Sequence, residues 1–388
     1  MSKKKNVHVF VDGEVLVIKH FSGIGHYTAE LLRAVDKLLY LDEYSHISVE
    51  IGVPKNDMHR LNRFGYENFK VRRMPFSPHV ANGLKKRHRL PPIDLLYGKK
   101  VYLFPNYSCW PALFSPVVPI IYDLSFVHHA EFVEPRNQAF LIEQVRLSAS
   151  KAKKIVTISK NSQAEIETEF SIPSKDIDIV YPAVDRHLFY PRSDYDVSYT
   201  KAKNGVFGDY ILFVGNIEPR KNLVTLLRAY NQLPAAIQEK YGLLLIGAKG
   251  WLDNEIHDMI IDMRMRGLKI IQPTGYVEDE DLPALYSGAS AFVYVSKYEG
   301  FGIPPIEAMA CNTPVISSNN SSLPEAVGDA AIMIDAADDA ALCENITKLL
   351  NDKKIVKKYV DRGSQQILNF DWDKSARQLL KTLEEAAK

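Results

Sequence analysis

The sequence predicts an α/β protein with two doubly wound parallel sheets. In both halves of the chain, short runs rich in β-branched and aromatic residues alternate with longer stretches of helical spacing, as in parallel sheets covered by helices on both faces. Between the halves, residues 182–209 hold prolines, glycines and polar residues without apolar periodicity, which indicates a linker. The length of 388 residues suits two domains.

In the first half, six runs have the composition of strands, at 7–11, 47–53, 101–105, 119–123, 154–159 and 177–182. Apolar residues recur at helical spacing after Gly23, and again at 136–151 and 161–170. Because strands and helices alternate, each strand is expected to lie parallel to its neighbours.

The second half repeats this alternation. Its predicted strands are 210–216, 241–247, 268–276, 290–296, 314–319 and 330–335, and its predicted helices are 222–232, 253–266, 281–287, 304–311, 338–351, 353–369 and 372–387. We therefore predict Rossmann-like domains at 1–190 and 191–371, followed by a helix at 372–388. The two domains should face a central cleft, because ligands bind at the carboxyl ends of such sheets.

Composition excludes several classes of protein. Lys and Arg number 48 against 47 Asp and Glu, so no overall basic field attracts nucleic acid. Three cysteines cannot build a disulfide framework, and a reducing cytosol is expected. The residues MSKKKNVHVFV reach Asp12 after a short apolar run, so no signal peptide is expected from them, and no apolar stretch of the sequence is long enough to cross a membrane. We expect a cytoplasmic protein, either soluble or peripheral at the inner face of the membrane.

The charges are unevenly distributed. Residues 1–190 hold 26 basic and 20 acidic residues, a net charge of +6, and part of this excess lies in Lys85–Arg89. Such a run either forms a solvated face or contacts an anionic surface, such as a membrane or a phosphate-bearing acceptor.

The segment 296–310 carries the most informative residues. Gly300 and Gly302 allow a close approach of the backbone to a ligand, and the helix that follows favours a phosphate at its N-terminus. Glu299 and Glu307 would repel an anion, so they are better suited to accept hydrogen bonds from sugar and ribose hydroxyls. Alternatively, Glu307 complements the helix dipole and Glu299 is solvated.

Arg220 and Lys221 lie in the loop after the first strand of the second domain. Adjacent cations at such a loop can neutralise a diphosphate, the arginine through its fork and the lysine as a point charge. The alternative is an ordinary pair of surface cations.

Two segments of the first domain are further candidates. Gly23 and Gly25 form a glycine turn that opens a helix, which suits contact with an anion or a sugar. Tyr122, Asp123 and His129 follow a strand and could face the acceptor. A single histidine is more often structural, so both interpretations stay open.

Taken together, these segments resemble the family 4 retaining glycosyltransferases, which have the GT-B fold. The stretch EGFGIPPIEAMACNTPVISSNNSSLPEAVGDAA is similar to the family's glutamate–seven residues–glutamate signature. SGIGHYTAELL, GNIEPRKNL, TGYVEDEDLPALYSGA and VYPAVDRHLF match further segments in the family's order. The resemblance covers essentially the whole chain.

The resemblance implies which residues form the site. Contacts with a nucleotide-sugar donor are expected from Gly23, Gly25, Arg220, Lys221, Tyr276, Val277, Glu299, Gly300, Phe301, Gly302, Ile303 and Glu307. Catalytic roles are expected of Glu299, Arg220, Lys221 and Asp123. The acceptor side of the site is expected to include Tyr122, Asp123 and His129. The final helix would cross back to the first domain.

The resemblance also implies which part of the donor each residue would contact. Arg220 and Lys221 would bind the diphosphate, Glu299 the sugar and Glu307 the ribose hydroxyls, while Tyr276 would lie near the base. The chain departs from many relatives in two respects. Tyr122 stands where they have a histidine, so that histidine's role cannot be transferred. Asn216 stands where they have an arginine after the glycine that matches Gly215, and the EPRKN form would place Arg220 in that arginine's stead.

The activity implied is a retaining, metal-independent transfer of a hexose, without a cofactor, to a glycan or lipid-linked acceptor in bacterial surface polysaccharide synthesis. EPRKN-type sequences resemble the mannosyl- and rhamnosyltransferases of such pathways, and of the possible donors we expect GDP-mannose. Two alternatives remain: another GT-B activity, such as a sugar phosphorylase or an epimerase, and an inactive subunit that binds nucleotide sugars.

Overall fold

The computed structural model describes residues 5–18, 23–87, 89–132, 135–248, 250 and 254–388. By their contacts the residues form two compact units. The first comprises Met1–Pro182 and Asp371–Lys388, and the second comprises Ala183–Phe370. Residues 183–190, which the sequence analysis placed in the first domain, therefore pack with the second unit.

The first unit is built on parallel strands. These are β1 (Val7–Asp12), β2 (Ile47–Pro54), β3 (Phe69–Met74), β4 (Val101–Phe104), β5 (Val117–Pro119), β6 (Ile155–Thr157) and β7 (Ile177–Ile179). Strands β1 to β5 form a sheet in the order β3-β2-β1-β4-β5, and β6 pairs with β7. A parallel bridge between Ile120 and Val156 continues the order beyond β5.

The second unit has a single parallel sheet. Its strands are β8 (Asp209–Val214), β9 (Tyr241–Ile246), β10 (Ile270–Ile271), β11 (Ala291–Tyr294), β12 (Val315–Ser318) and β13 (Ala331–Ile334). They lie in the order β10-β9-β8-β11-β12-β13. Central strands such as β9 and β11 are buried along their whole length, because helices cover both faces of a doubly wound sheet.

The helices, in chain order, are α1 (Gly23–Leu38), α2 (Pro78–Lys86), α3 (Ile93–Tyr97), α4 (Ser125–His128), α5 (Pro135–Lys151), α6 (Lys160–Phe170), α7 (Asp194–Lys203), α8 (Leu223–Gln232), α9 (Ala235–Lys240), α10 (Asn254–Met265), α11 (Leu282–Ser287), α12 (Ile303–Ala310), α13 (Leu323–Val327), α14 (Asp339–Asn351), α15 (Lys353–Gln366) and α16 (Trp372–Ala386).

The last helix, α16, belongs to the first unit and packs on α1. Two of its hydroxyl side chains attach it to the segment around β7. The Ser375 hydroxyl donates to the carbonyl of Tyr181 over 2.6 Å, and the Thr382 hydroxyl donates to Asp178 Oδ2 over 2.9 Å. Leu379 is fully buried between these bonds, so packing and hydrogen bonding hold the same helix face.

The segment 182–209, predicted to be a linker without regular structure, contains the helix α7, and from Ala183 onward it belongs to the second unit. Ser193 caps the helix: its Oγ accepts from the backbone N–H of Asp196 over 3.2 Å, and its hydroxyl donates to Asp196 Oδ2 over 2.7 Å. Tyr195 and Tyr199 are exposed, so α7 lacks the apolar stripe that periodicity detects. The Ser-x-x-Asp cap was the available signal.

Two edge strands, β3 and β10, differ from the prediction. Strand β3 was not predicted, because the residues from Lys70 to Arg73 are exposed at the edge of the sheet and read as polar surface. Strand β10 is shorter than the predicted 268–276, since Pro273 and Gly275 follow its two residues. Edge strands have fewer neighbours, so burial imposes less of a pattern on their sequence.

Candidate functional site

Two loops of the second unit leave its sheet side by side. Strands β8 and β11 are neighbours although they are not consecutive in the chain, so the strand order reverses between them. In a doubly wound sheet, ligands bind outside the carboxyl ends of the strands at this reversal. The loop after β8, 215–222, and the loop after β11, 295–302, both begin there, and they carry six of the twelve predicted donor residues.

Backbone and amide hydrogen bonds fasten these loops to each other. Asn222 adopts a left-handed conformation with φ 58°, and its Nδ2 donates to the carbonyls of Val295 and Ala336 over 2.9 and 2.6 Å. The N–H of Lys297 donates to the carbonyl of Arg220 over 2.9 Å. The two loops therefore form one supported surface.

On this surface, Glu218, Arg220, Lys221 and Glu299 form a network that we call the ion cluster. Oε1 of Glu299 accepts from Lys221 Nζ over 2.7 Å and from the Tyr294 hydroxyl over 2.9 Å, and its Oε2 accepts from Arg220 Nη1 over 2.8 Å. Arg220 Nη2 also lies 2.9 Å from Glu218 Oε1. The structure thus brings together three of the predicted donor residues.

The charges of the ion cluster are distributed unequally in depth. Its two cations balance its two carboxylates, yet the side chain of Arg220 is 22% exposed while those of Glu218 and Glu299 are 2% and 8% exposed. Arg220 is therefore the most exposed member of the ion cluster, and both carboxylates are more deeply buried.

Burial and ion pairing shift the pKa values of Glu299 and Lys221 in opposite directions. Burial raises the pKa of Glu299, but the charges of Arg220 and Lys221 outweigh this and hold the pKa at about 2. Burial lowers the pKa of Lys221, and the Glu299 carboxylate opposes that change. Glu299 is accordingly ionised near neutral pH.

The glycine loop after Glu299 requires glycine for two reasons at Gly302. Its φ of 113° is unfavourable for other residues, and a Cβ there would lie 2.6 Å from Leu323 Cδ2. The Ser322 hydroxyl supports the same loop, because it lies within hydrogen-bond distance of the carbonyls of Glu299 and Phe301, at 2.7 and 3.1 Å.

Helix α12 offers fewer backbone donors than the sequence analysis assumed. The helix begins at Ile303 with Gly302 as its N-cap, so Pro304 and Pro305 occupy its second and third positions and have no N–H. Of the four N–H groups that a helix start leaves unpaired, the amides of Gly302 and Ile303 remain. Anion binding here depends more on the side chains of the ion cluster.

Glu307 lies on α12, apart from the ion cluster's hydrogen bonds. Its Oε2 accepts from the Tyr286 hydroxyl over 2.9 Å. Burial raises the pKa of Glu307 to about 7, although the hydrogen bond from Tyr286 lowers it. The two glutamates of the signature thus differ: Glu299 is held ionised, and Glu307 gains a proton near neutrality.

The residues predicted near the base lie in the loop between β10 and α11. Tyr276 is exposed, and its hydroxyl is 3.5 Å from Asp279 Oδ1. Val277 is buried. An exposed aromatic ring is available for stacking, and Val277 anchors the loop beneath it.

In the first unit, Tyr122 is a core residue. Its ring is buried and packs edge-on against Tyr27 with 5.5 Å between centroids, and its hydroxyl lies 3.3 Å from Thr28 Oγ1 and from the Pro105 carbonyl. Burial raises its pKa above the ordinary value. Tyr122 is therefore placed for packing, and a contact with an acceptor would need it to leave these partners.

The other predicted residues of the first unit have local partners. Asp123 Oδ1 accepts from the N–H and the hydroxyl of Ser125, over 3.0 and 2.7 Å, at the start of α4. His129 Nδ1 lies 3.2 Å from Glu131 Oε1. Gly23 and Gly25 lie in the first turn of α1, and residues 19–22 before them are outside the described residues. Their assignment to the donor stays a prediction.

Sequence reasoning missed a polar group at the carboxyl end of β1. Asp12 is buried and Glu14 follows two residues later, with the Glu14 N–H donating to Asp12 Oδ1 over 3.1 Å. Burial raises the pKa of both carboxyls, to about 7 for Glu14. Lys85 is also buried here, and its Nζ lies 2.8 Å from Ser108 Oγ. Acidic residues directly after a first strand were the available signal.

The basic segment Lys85–Arg89 is divided by the fold. Lys85 faces the interior, whereas Arg87 and Arg89 are exposed. His88 and the side chain of Lys86 are outside the described residues. Among the residues that the structure describes, no helix is both long and apolar enough to span a membrane, and no three acidic, histidine or cysteine side chains converge as metal ligands.

Comparison with known proteins agrees with this architecture. Residues 201–366 match the family described as "Glycosyl transferases group 1". The O-antigen chain mannosyltransferase B of Escherichia coli is 32% identical over 370 residues, which are 92% of this chain and 95% of that protein. The O-antigen chain mannosyltransferase RfbU of Salmonella typhimurium is 23% identical over 76% of this chain and 80% of its own length.

A solved structure shows the same fold. The Anabaena protein HepE, in complex with UDP and glucose, superposes with a TM-score of 0.68 at 17% identity, covering 97% of this chain and 98% of its own. The predicted fold class, an α/β protein of the GT-B type with two doubly wound sheets, is confirmed.

The ion cluster should be sensitive to the loss of one partner. We expect Lys221→Met or Glu299→Gln alone to lower the free energy of unfolding by about 3 kcal/mol, because each leaves a buried charge without its partner. The double variant should lose less than the sum of the two. Chemical denaturation of the three variants measures this, and simple additivity would show that the pair is not coupled.

The pH dependence of stability provides a second readout of the same pair. The pKa of Glu299 is lowered from 4.5 to about 2, so its stabilising contribution is fully present above pH 4.5 and is lost as the pH falls towards 2. Glu299→Gln should lack this component of the acid unfolding curve, whereas a control at the exposed Glu344 should retain it.

Proposed function

This chain belongs to the group 1 glycosyl transferases and is a glycosyltransferase, and we propose that it transfers mannose from GDP-mannose to a hydroxyl of a glycan or lipid-linked acceptor. We further propose that the configuration of the sugar is retained, that no metal ion takes part, and that the product enters a bacterial surface polysaccharide. The names of its relatives, O-antigen mannosyltransferases of two enterobacteria, support the sugar and the setting.

The observation that carries the proposal is the ion cluster at the carboxyl edge of β8 and β11. A nucleotide-diphosphate sugar needs cations for its diphosphate and acceptors for its hydroxyls, and the cluster supplies both within two adjoining loops. Arg220 is the more exposed of the two cations, and a phosphate would bind it by replacing one of the guanidinium's present hydrogen bonds to Glu218, Glu299 or the Tyr298 carbonyl. Lys221 lies behind it and adds a second positive charge.

The number of hydrogen bonds that each carboxylate oxygen of Glu299 can still accept indicates where a sugar hydroxyl would bind. Each carboxylate oxygen can accept two hydrogen bonds. Oε1 already receives Lys221 and the Tyr294 hydroxyl, while Oε2 receives Arg220. We therefore assign the sugar hydroxyl to Oε2. The backbone from Gly300 to Ile303 would complete the sugar pocket, and Glu307 would accept from the ribose hydroxyls.

The reaction follows from where charge develops. As the bond between the anomeric carbon and the phosphate oxygen breaks, positive charge grows on the carbon and negative charge on the phosphate. Arg220 and Lys221 stabilise that negative charge as fixed electrostatic partners. The acceptor oxygen attacks from the face that the nucleotide leaves, and its proton passes to the departing phosphate oxygen. No carboxylate is assigned as a nucleophile.

Removal of a cation should slow the reaction. We expect Arg220→Ala or Lys221→Ala to lower kcat by roughly 100-fold or more, the scale for a lost transition-state partner. Arg220→Lys should recover part of the loss, because it keeps the charge but not the fork. Steady-state transfer assays measure this, with the exposed Lys354→Ala as the control. Rates near the wild-type value in both alanine variants would reject the assignment.

Glu307 should make nucleotide binding depend on pH. Because its pKa is raised to about 7, the carboxylate that accepts the ribose hydroxyls is lost as the pH falls below neutrality, and nucleotide affinity should fall with it. Glu307→Gln should bind more weakly and without this pH dependence. Tyr286→Phe removes a hydrogen bond that lowers the pKa, so the midpoint should move to higher pH. Calorimetric titration with GDP across pH tests all three proteins.

The donor base is tested by thermal unfolding with GDP, UDP, ADP and dTDP in parallel. A nucleotide at 100 times its Kd stabilises the protein by about 2.7 kcal/mol, a visible shift in Tm, and we expect it with GDP. A shift with UDP alone would reject GDP-mannose but keep a glycosyltransferase site. Subsequent assays of transfer from GDP-mannose, with and without EDTA, address turnover and metal independence, and they separate transfer from phosphorolysis, epimerisation or an inactive binding subunit.

A further inference from the structure

One corner of the first unit exposes four large apolar side chains together. Helix α3 directs Ile93 and Tyr97 inwards, where Ile93 is fully buried and Tyr97 packs on the ring of Phe10. The residues between them, Leu95 and Leu96, are 61% and 44% exposed. A helix of this kind normally presents polar residues to water, but this one presents two leucines.

A buried carboxylate holds a second apolar pair beside the first. Asp94 accepts hydrogen bonds from the backbone N–H groups of Leu113, Phe114 and Ser115, at 2.8 to 3.1 Å. The loop is therefore fastened to the residue next to Leu95. Its side chains nevertheless point outwards, with Leu113 67% and Phe114 54% exposed.

The chain next to this apolar patch is basic. Residues 86–99, which include α3, hold four Lys and Arg and one acidic residue, Asp94. Asp94 is buried and its carboxylate is bound by the loop, so it adds no negative charge at the surface. The exposed cations Arg87, Arg89 and Lys99 adjoin α3 in the chain.

We propose that Leu95, Leu96, Leu113 and Phe114 insert into the interface of an anionic membrane, while Arg87, Arg89 and Lys99 contact the lipid headgroups. Contiguous exposed apolar side chains mark an interaction surface rather than ordinary solvent-facing protein. The surrounding positive charge selects an anionic bilayer, because apolar burial and attraction to acidic lipids together give stable peripheral binding. The inference gives a structural basis to the lipid-linked acceptor of the proposed function, and to that extent it rests on it.

Membrane binding through inserted apolar side chains differs in its salt dependence from binding through a basic segment alone. A purely electrostatic contact is released by salt, because exposed charges are screened. Inserted leucine and phenylalanine side chains are not screened. The proposal therefore requires a part of the binding that persists in high salt and depends on the apolar residues.

The test is sedimentation of the full chain with vesicles of equimolar phosphatidylglycerol and phosphatidylcholine, and with vesicles of phosphatidylcholine alone. We expect binding to the anionic vesicles. Leu113→Ser/Phe114→Ser should weaken it about tenfold or more at low and high salt. Arg87→Gln/Arg89→Gln should weaken it about fivefold for each arginine at low salt only. The matched control is Tyr195→Ser/Phe207→Ser, two aromatic residues of the second unit that are 78% and 76% exposed and thus more exposed than Leu113 and Phe114.

Three results would overturn the proposal. One is the absence of wild-type binding to anionic vesicles. Another is unchanged binding in the Leu113→Ser/Phe114→Ser variant. The third is a concentration-dependent dimer, seen by light scattering, that this variant abolishes while vesicle binding persists, because a second copy of the chain would then cover the patch. Thermal stabilisation by GDP, measured on the same variants, reports separately on the donor site, which lies in the other unit.

Discussion

The arrangement of the site loops in the second unit depends on one constraint: each of the four charged side chains of the ion cluster, which are buried or half-buried, must have a partner of opposite charge. An unpaired ion in such a place costs several kcal/mol, so Glu218, Arg220, Lys221 and Glu299 are stable there only together. The cations come from the loop after β8 and Glu299 from the loop after β11. The need to pair these charges therefore fixes the distance between two loops that are far apart in the chain. The side-chain amide of Asn222, in the first loop, also links them by donating a hydrogen bond to the Val295 carbonyl in the second.

In the proposed function, this arrangement would hold the diphosphate site in place before the nucleotide sugar binds. The carboxylates of Glu218 and Glu299 neutralise the two cations, and Arg220 is the most exposed of the four side chains. The protein would therefore not have to bear the repulsion of two unpaired cations while the site is empty. The two prolines at the start of α12 are consistent with this division of labour, because they remove backbone donors and leave recognition of the anion to side chains.

A buried carboxylate organises the first unit in a comparable way. Asp94 closes the loop at 113–115 by accepting its backbone N–H groups, and Asp12 does the same for the turn at Glu14. Asp94 acts on the backbone, whereas Asp12 also interacts with the charge of Lys85. Asp94 thereby holds an exposed loop in one shape, which is what a binding surface on a loop requires. Tyr122, by contrast, serves the core between α1 and β5.

The sequence by itself determined the alternation of strands and helices, and with it the two parallel sheets, because buried strands must be apolar and the helices that cover them must be amphipathic. It also indicated Arg220, Lys221, Glu299 and Glu307, since each lies just after a strand or at a helix start. Helix α7 and the edge strand β3 were not predicted, because most of their residues face water and carry no periodic apolar pattern. Only the tertiary structure decided which charges pair, that Tyr122 is buried and that Leu113 lies beside Leu95. These are contacts between distant segments, and their geometry is set by packing rather than by local sequence.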